Sequence, residues 1–129
     1  MRLLIVRHAI AEDREEWAKT GKSDNERPLT DKGRKRMSRI ARGLAALVDT
    51  PEIVGTSPLT RAVETADIVA EAFGVKKAQE VPALAPSAEF GEMVTWLRSL
   101  KTNGTVAVVG HEPPLSGFAC SCFRPLCAK

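Results

Sequence analysis

Thr105-Val106-Ala107-Val108-Val109-Gly110-His111 decides the fold. The run is β-branched and apolar without a polar alternation, which marks a strand covered on both faces, the place of a central strand in a parallel sheet. It ends on a histidine. The chain opens with the same shape: Arg2 to Val6 reads as a short buried strand, and Arg7-His8 follows it. A third apolar run, Ile53 to Thr56, is followed by Ser57-Pro58.

Helical patterns lie between these strands. Thr30 is placed to cap a helix running to about Val48, with Met37, Ile40, Ala41, Leu44 and Val48 on one face. Ser57 as N-cap and Pro58 at the first helical position open a second helix. Its stripe is Ala62, Ala66, Val69 and Phe73, and Gly74 stops it. A short strand is expected around Glu80 and Val81. Ser87 then caps a third helix with Phe90, Met93, Val94 and Leu97 inward, ended by Asn103-Gly104. Residues 9–29 are polar and read as a long irregular excursion, a kind of loop that often carries function. Strand and helix alternate from end to end. The predicted fold class is α/β: a mostly parallel sheet with helices on both faces, a three-layer α/β/α arrangement.

At 129 residues and 43% hydrophobic, the chain suits one domain over residues 1–129 and has no room for two. No stretch approaches the ~20 apolar residues of a membrane span. The N-terminal apolar run is cut by Arg7, too short for a signal peptide, so a cytoplasmic location is expected and no membrane partner. A net charge of +3 permits an anionic substrate without demanding nucleic acid. Lys32, Arg34, Lys35, Arg36, Arg39 and Arg42 form a basic run, read as a solvated helix face. No aromatic residue interleaves with them for base stacking, and the chain has no tyrosine. Cys120, Cys122 and Cys127 are odd in number and crowded into the last ten residues. They suit neither a disulfide framework nor a zinc site.

The chain holds only two histidines, and each directly follows a predicted strand. Arg7 precedes the first, and Arg61 falls in the opening turn of the helix after the third strand end. In parallel α/β sheets the carboxyl ends of the strands share one edge, where ligands bind. His8, His111, Arg7 and Arg61 are therefore expected at one site. Guanidinium forks match phosphate oxygens. A neutral imidazole can attack phosphorus and form a phosphohistidine. The helix start beside Arg61 adds the positive end of a dipole. The expected site is an anion clamp around a histidine nucleophile, with no metal and no cofactor. The glycine-rich phosphate and dinucleotide loops and the H-E-x-x-H zinc motif are absent from the sequence.

Arg7-His8 closing the first strand, Ser57-x-x-x-Arg61, and Gly110-His111 together resemble the histidine phosphatase superfamily, whose fold is phosphoglycerate mutase-like. Arg7-His8-Ala9 and Arg27-Pro28-Leu29-Thr30 before the first long helix are similar to the small bacterial phosphohistidine phosphatases of the SixA type. The resemblance covers Met1 to about Ala119. It implies His8 as the nucleophile, Arg7 and Arg61 as phosphoryl-oxygen ligands, and His111 as a charge stabiliser, protonated or hydrogen-bonded to the phosphoryl group. Arg27 is a candidate for substrate contact or for anchoring its loop, and Ser57 is expected to be a helix cap. The resemblance also implies a role in signal transduction and a phosphohistidine-containing protein as substrate, with phosphate-like anions as ligands.

Larger members of the superfamily carry a Glu that protonates an alkoxide leaving group. The corresponding stretch, Pro82-Ala83-Leu84-Ala85-Pro86, has no acid. Glu89 and Glu92 follow it at helical spacing and are expected to face solvent. A missing acid fits protonated phosphohistidine, whose imidazole departs neutral. Two other readings stand beside this one: a small-molecule phosphomonoesterase, favoured if Glu89 or Glu92 faces the site, and a catalytically weak phospho-ligand binding module. Family members normally continue beyond the second histidine with a full helix and a further strand. Here Leu115 to Ala119 reads as that helix's start, and residues 120–129 as an atypical, shortened end. An exposed sheet edge, irregular packing of that end, and self-association or marginal stability are expected from it.

Overall fold

The structure is a computed structural model, and it describes residues 1–112 and residue 115. Its elements follow the alternation read from the sequence. β1 (Arg2–Arg7) leads through a short helix α1 (Arg14–Ala18) and a 3-10 turn (Asp24–Glu26) into the long helix α2 (Asp31–Leu47). β2 (Ile53–Thr56), α3 (Thr60–Phe73), β3 (Gln79–Glu80), a second 3-10 turn (Pro82–Leu84), α4 (Phe90–Ser99) and β4 (Thr105–Gly110) complete it. The four strands form one parallel sheet in the order β1-β4-β2-β3. β4 thus lies between β1 and β2 and is buried along its whole length, as its uninterrupted apolar run requires.

The alternation of side chains along β4 divides the core. Ala107 and Val109 join Met37 and Ala41 of α2 and Ala62, Ala66 and Val69 of α3 on one face. Val106 and Val108 join Met93 and Leu97 of α4, with Leu84 and Leu115, on the other. Helices cover both faces. Gly74 ends α3 with φ +72°, a left-handed stop that glycine adopts without a Cβ penalty.

Several local expectations are corrected. Residues 9–29 are not irregular. Asp13 caps α1 by accepting from the Glu15 and Glu16 N–H groups, Trp17 Nε1 donates to the Ser23 carbonyl at 2.9 Å, and Ala11 bridges Leu29, which is buried. Polar composition concealed these short capped turns, because side-chain-to-backbone bonds build them rather than an apolar stripe. Thr30 does cap α2, accepting from Gly33 N–H at 2.9 Å. Within that helix Met37 and Ala41 are buried, but Ile40 and Val48 are exposed, so the inward stripe is narrower than expected.

Ser57 does not cap α3, whose cap residue is Leu59, so Pro58 stays outside the helix. Ser87 does not cap α4. Glu89 takes that place, because Glu92 three residues on completes a capping box with it. Phe90, at the first helical position, is exposed. Asn103-Gly104 lies beyond the end of α4 at Ser99; Thr102 there donates to Glu52 and accepts from Gly104 N–H, which fixes a separate turn into β4. The expectations attached to residues 120–129 and to the helix after His111 lie outside the described residues.

Candidate active site

Strand register explains why two histidines 103 positions apart meet. Arg7 pairs with Gly110 at the ends of β1 and β4, and the His8 N–H donates to the Gly110 carbonyl at 3.0 Å. The next residue on each strand is a histidine. Their ring centroids stand 5.2 Å apart, with the planes tilted by 56°. On the other side of β4, Thr56 pairs with Val109, and Ser57 N–H donates to the Val109 carbonyl. Three neighbouring strands therefore deliver His8, His111 and Ser57 to one edge, and α3 starts beside them with Arg61 in its first turn.

The two imidazoles are held differently. His8 is half-buried and its Nδ1 donates to the Ala9 carbonyl at 2.8 Å, which leaves the Nε2 lone pair available. His111 is buried, and its Nε2 lies 2.8 Å from Ser57 Oγ. Burial pushes both pKa values below the usual range. For His8, Arg61, Arg7 and Arg27 add to that shift against the Ala9 hydrogen bond. For His111 the value falls to about 4, with Arg61 and His8 as the next causes after burial. Both rings are thus neutral near pH 7 in the free protein.

The arginines divide into two groups. Arg61 and Arg27 are buried and tied to one carboxylate. Arg27 Nε donates to Asp24 Oδ1 at 2.9 Å, and Arg61 meets Asp24 through its carbonyl at 2.9 Å and its Oδ2 at 3.4 Å. Arg27 also donates to the Glu12 carbonyl at 2.7 Å. Arg27 therefore anchors its loop while lining, with His8, a cavity of about 470 Å³. Burial raises the Asp24 carboxyl, but the Arg27 hydrogen bond and the charges of Arg27 and Arg61 outweigh it and hold the group below its usual range. Arg61 keeps one unsatisfied donor: its buried Nε has no partner among the described residues. Arg7 is exposed, lines the same cavity, and its side chain makes no hydrogen bond or ion pair among those residues.

Three contributors were not foreseen. Ser57 grips His111 instead of capping a helix. Asp24 joins the two buried arginines. Thr65, fully buried, donates to the Arg61 carbonyl at 2.7 Å and accepts from Ala9 N–H at 3.0 Å, tying α3 to the peptide that holds His8. A sequence signal existed for Thr65: it is a hydroxyl on the apolar stripe of α3, four residues after Arg61. Glu89 and Glu92 do not serve the site, since Glu92 accepts from Glu89 N–H at 3.3 Å to start α4 and both are exposed.

Residues 3–93 match the sequence profile of the histidine phosphatase superfamily, branch 1. The chain belongs to the histidine phosphatase superfamily. An uncharacterized protein of Picosynechococcus sp. is 37% identical over 121 residues, 92% of this chain and 71% of that one. The solved structure of the protein histidine phosphatase SixA complexed with tungstate superposes with a TM-score of 0.80 at 27% identity, over 93% of this chain and 75% of that one. A chain of Agrobacterium tumefaciens assigned to SixA gives a TM-score of 0.81 at 22% identity, over 95% and 76%, which is a likeness of fold. The fold is that of this superfamily, whose solved members include a protein histidine phosphatase. Among the described residues no helix is long and apolar enough to cross a membrane.

Proposed function

We propose that this histidine phosphatase superfamily member removes the phosphoryl group from phosphohistidine in a protein. The observation that carries the reading is the state of His8. Its Nδ1 proton is held by Ala9, so Nε2 carries the lone pair, and burial with three arginines keeps the ring neutral. Nε2 attacks phosphorus while the substrate's phosphorus–nitrogen bond breaks. The substrate ring, protonated beforehand, departs as neutral imidazole. The phosphorylated His8 that forms is itself an imidazolium, because Nδ1 still bears its proton. Water then displaces it, His8 returns neutral, and dihydrogen phosphate leaves.

Charge stabilisation on the phosphoryl oxygens comes from Arg7 and Arg61, with His111 across from His8. The unsatisfied Arg61 Nε is a donor that an oxyanion would complete. A phosphoryl dianion raises the pKa of His111, so the ring that is neutral in the free site becomes a better donor once substrate is bound. Asp24 is the one carboxylate in contact with these groups among the described residues, and it is committed to arginines. No acid there is free to protonate an alkoxide. That favours phosphohistidine over a phosphate ester.

A substrate panel tests this. A phosphohistidine protein, free phosphohistidine and a set of phosphate monoesters are compared at equal concentration, with and without a chelator. Faster turnover of the phosphohistidine compounds, unchanged by the chelator, is expected. Preference for an alkyl phosphate ester would make the chain a small-molecule phosphomonoesterase. Binding of phosphate with no turnover of any compound would make it a binding module.

A further inference from the structure

We propose that the cavity beside His8 continues along α2 as a docking groove for an acidic, amphipathic helix of the protein that carries the phosphohistidine. The inference rests on the phosphohistidine reading and extends it from the reacting group to its carrier. One wall is the segment after β1, with His8 and Ile10. The other is one face of α2, where Gly33, Arg36, Met37 and Ile40 follow helical spacing. Gly33 makes the walls meet: a Cβ there would lie 2.2 Å from the Ile10 carbonyl oxygen. From Gly33 to Ile40 the groove runs roughly 10 Å along the helix, more than a phosphoryl group needs.

Its chemistry is mixed in a specific way. Ile10 and Ile40 are 44% and 49% exposed, large apolar side chains standing beside the exposed cations Arg7 and Arg36. Charge is concentrated on this helix. Six of the nineteen basic residues and one of the sixteen acidic ones lie on α2, so the helix is +5 and the remainder of the chain −2. Arg34 spends its charge on Glu64 and Asp31. Lys32, Lys35, Arg36 and Arg39 are exposed and have no ion pair among the described residues. An acidic helix satisfies both halves of this surface. Its carboxylates meet Arg36, which lines the groove, and Lys32 and Arg39, which flank it at helical spacing; an apolar side chain seats between Ile10 and Ile40, and its phosphohistidine reaches His8. A nucleic acid would meet the cations but not the isoleucines, and among the described residues no Phe or Trp lines the groove for stacking.

The test uses helical peptides of roughly 20 residues, each bearing one phosphohistidine, in acidic, neutral and basic versions, with phosphoramidate as a carrier-free substrate. The acidic peptide should exceed the neutral one in kcat/KM by about tenfold, and the advantage should shrink as salt rises from about 0.05 to 0.3 M. Lys32→Glu/Arg39→Glu should abolish the advantage, and Ile40→Ser should reduce it. Both variants should hydrolyse phosphoramidate at the wild-type rate. Anisotropy of the labelled, unphosphorylated acidic peptide reads docking without turnover and should show about tenfold weaker binding to the charge-reversed variant. Equal kcat/KM for the three peptides, unchanged peptide binding by the variants, or an oligonucleotide that binds the groove more tightly than the acidic peptide would overturn the proposal. If no phosphohistidine compound turns over while a phosphate ester does, the functional reading fails, and the binding measurement alone decides the docking surface.

Discussion

His8 and His111 occupy equivalent places in the sheet and are built for different work. Each follows the last residue of a strand, and those last residues are register partners. His8 is half-buried, held through Nδ1, with Nε2 unbonded among the described residues. His111 is buried and held through Nε2 by Ser57. Backbone position brings the rings together; the hydrogen bond each one makes decides which, in the proposed mechanism, can attack. In the proposed mechanism the nucleophile is set by the nitrogen left free rather than by proximity to the phosphoryl group.

Substituting the two histidines breaks this comparison most strongly. His8→Ala should lower kcat by roughly 10⁴-fold or more, as loss of a nucleophile does. A brief reaction with labelled substrate should leave a phosphoryl group on His8 that survives alkali and is lost in acid. His111→Asn should cost about 10²- to 10³-fold, the scale of one charge-stabilising donor, and should still show label on His8. Label on His111, or near-wild-type turnover by His8→Ala, would reverse the assignment.

Acid separates the two rings next. A histidine whose folded pKa is depressed favours the native state when neutral. Between the unfolded value near ~6.5 and the folded value, the unfolded chain binds more protons, so stability is lost as pH falls through that window. For His111, with a folded value of about 4, the loss is about 3 kcal/mol across the window, roughly 2 of it by pH ~5. His8 shifts in the same direction. Urea unfolding at about pH 7 and 5 should show the decline, and His111→Asn should flatten it. An equally steep decline in that variant would place the sensitivity elsewhere. Activity should likewise keep its plateau below pH ~6.5 and fall only in more acid solution, because in the proposed mechanism neutral His8 attacks.

The alternation of strands and helices, the central place of β4 and the convergence of His8, His111 and Arg61 were legible in the sequence, because each rests on apolar period and on strand ends sharing an edge. The caps were less so. Ser57 has the composition of an N-cap and sits before a proline, yet its hydroxyl serves a histidine 54 residues away. Ile40 fits the inward period of α2 but lies beyond what α3 covers, and so faces solvent. Asp24 is one of several acids in a polar segment, and nothing local to it reveals that two arginines close on it. Contacts between distant segments carry no period, so the side chains that support the candidate site escaped a reading that brought His8, His111 and Arg61 to one edge.

The smallest expected effects address the supports of the two rings. Thr65→Val keeps the shape of a fully buried side chain and removes the hydroxyl that accepts from Ala9 N–H. The Ala9 peptide, whose carbonyl holds His8 Nδ1, then loses its tie to α3. Ser57→Ala removes the partner of His111 and leaves His8 untouched. Each removes a hydroxyl that makes two hydrogen bonds, one of them at the support of a ring, so each should cost about tenfold in kcat/KM. Rate alone does not tell them apart, but nitrogen NMR of the imidazoles does. Thr65→Val should change the tautomer balance or pKa of His8 and leave His111 as it is, and Thr65→Ser should restore it. Ser57→Ala should do the reverse, moving the His111 signals alone. If either substitution shifts both rings together, the imidazoles share one network across their 5.2 Å separation, and the division of labour between them is a property of the pair.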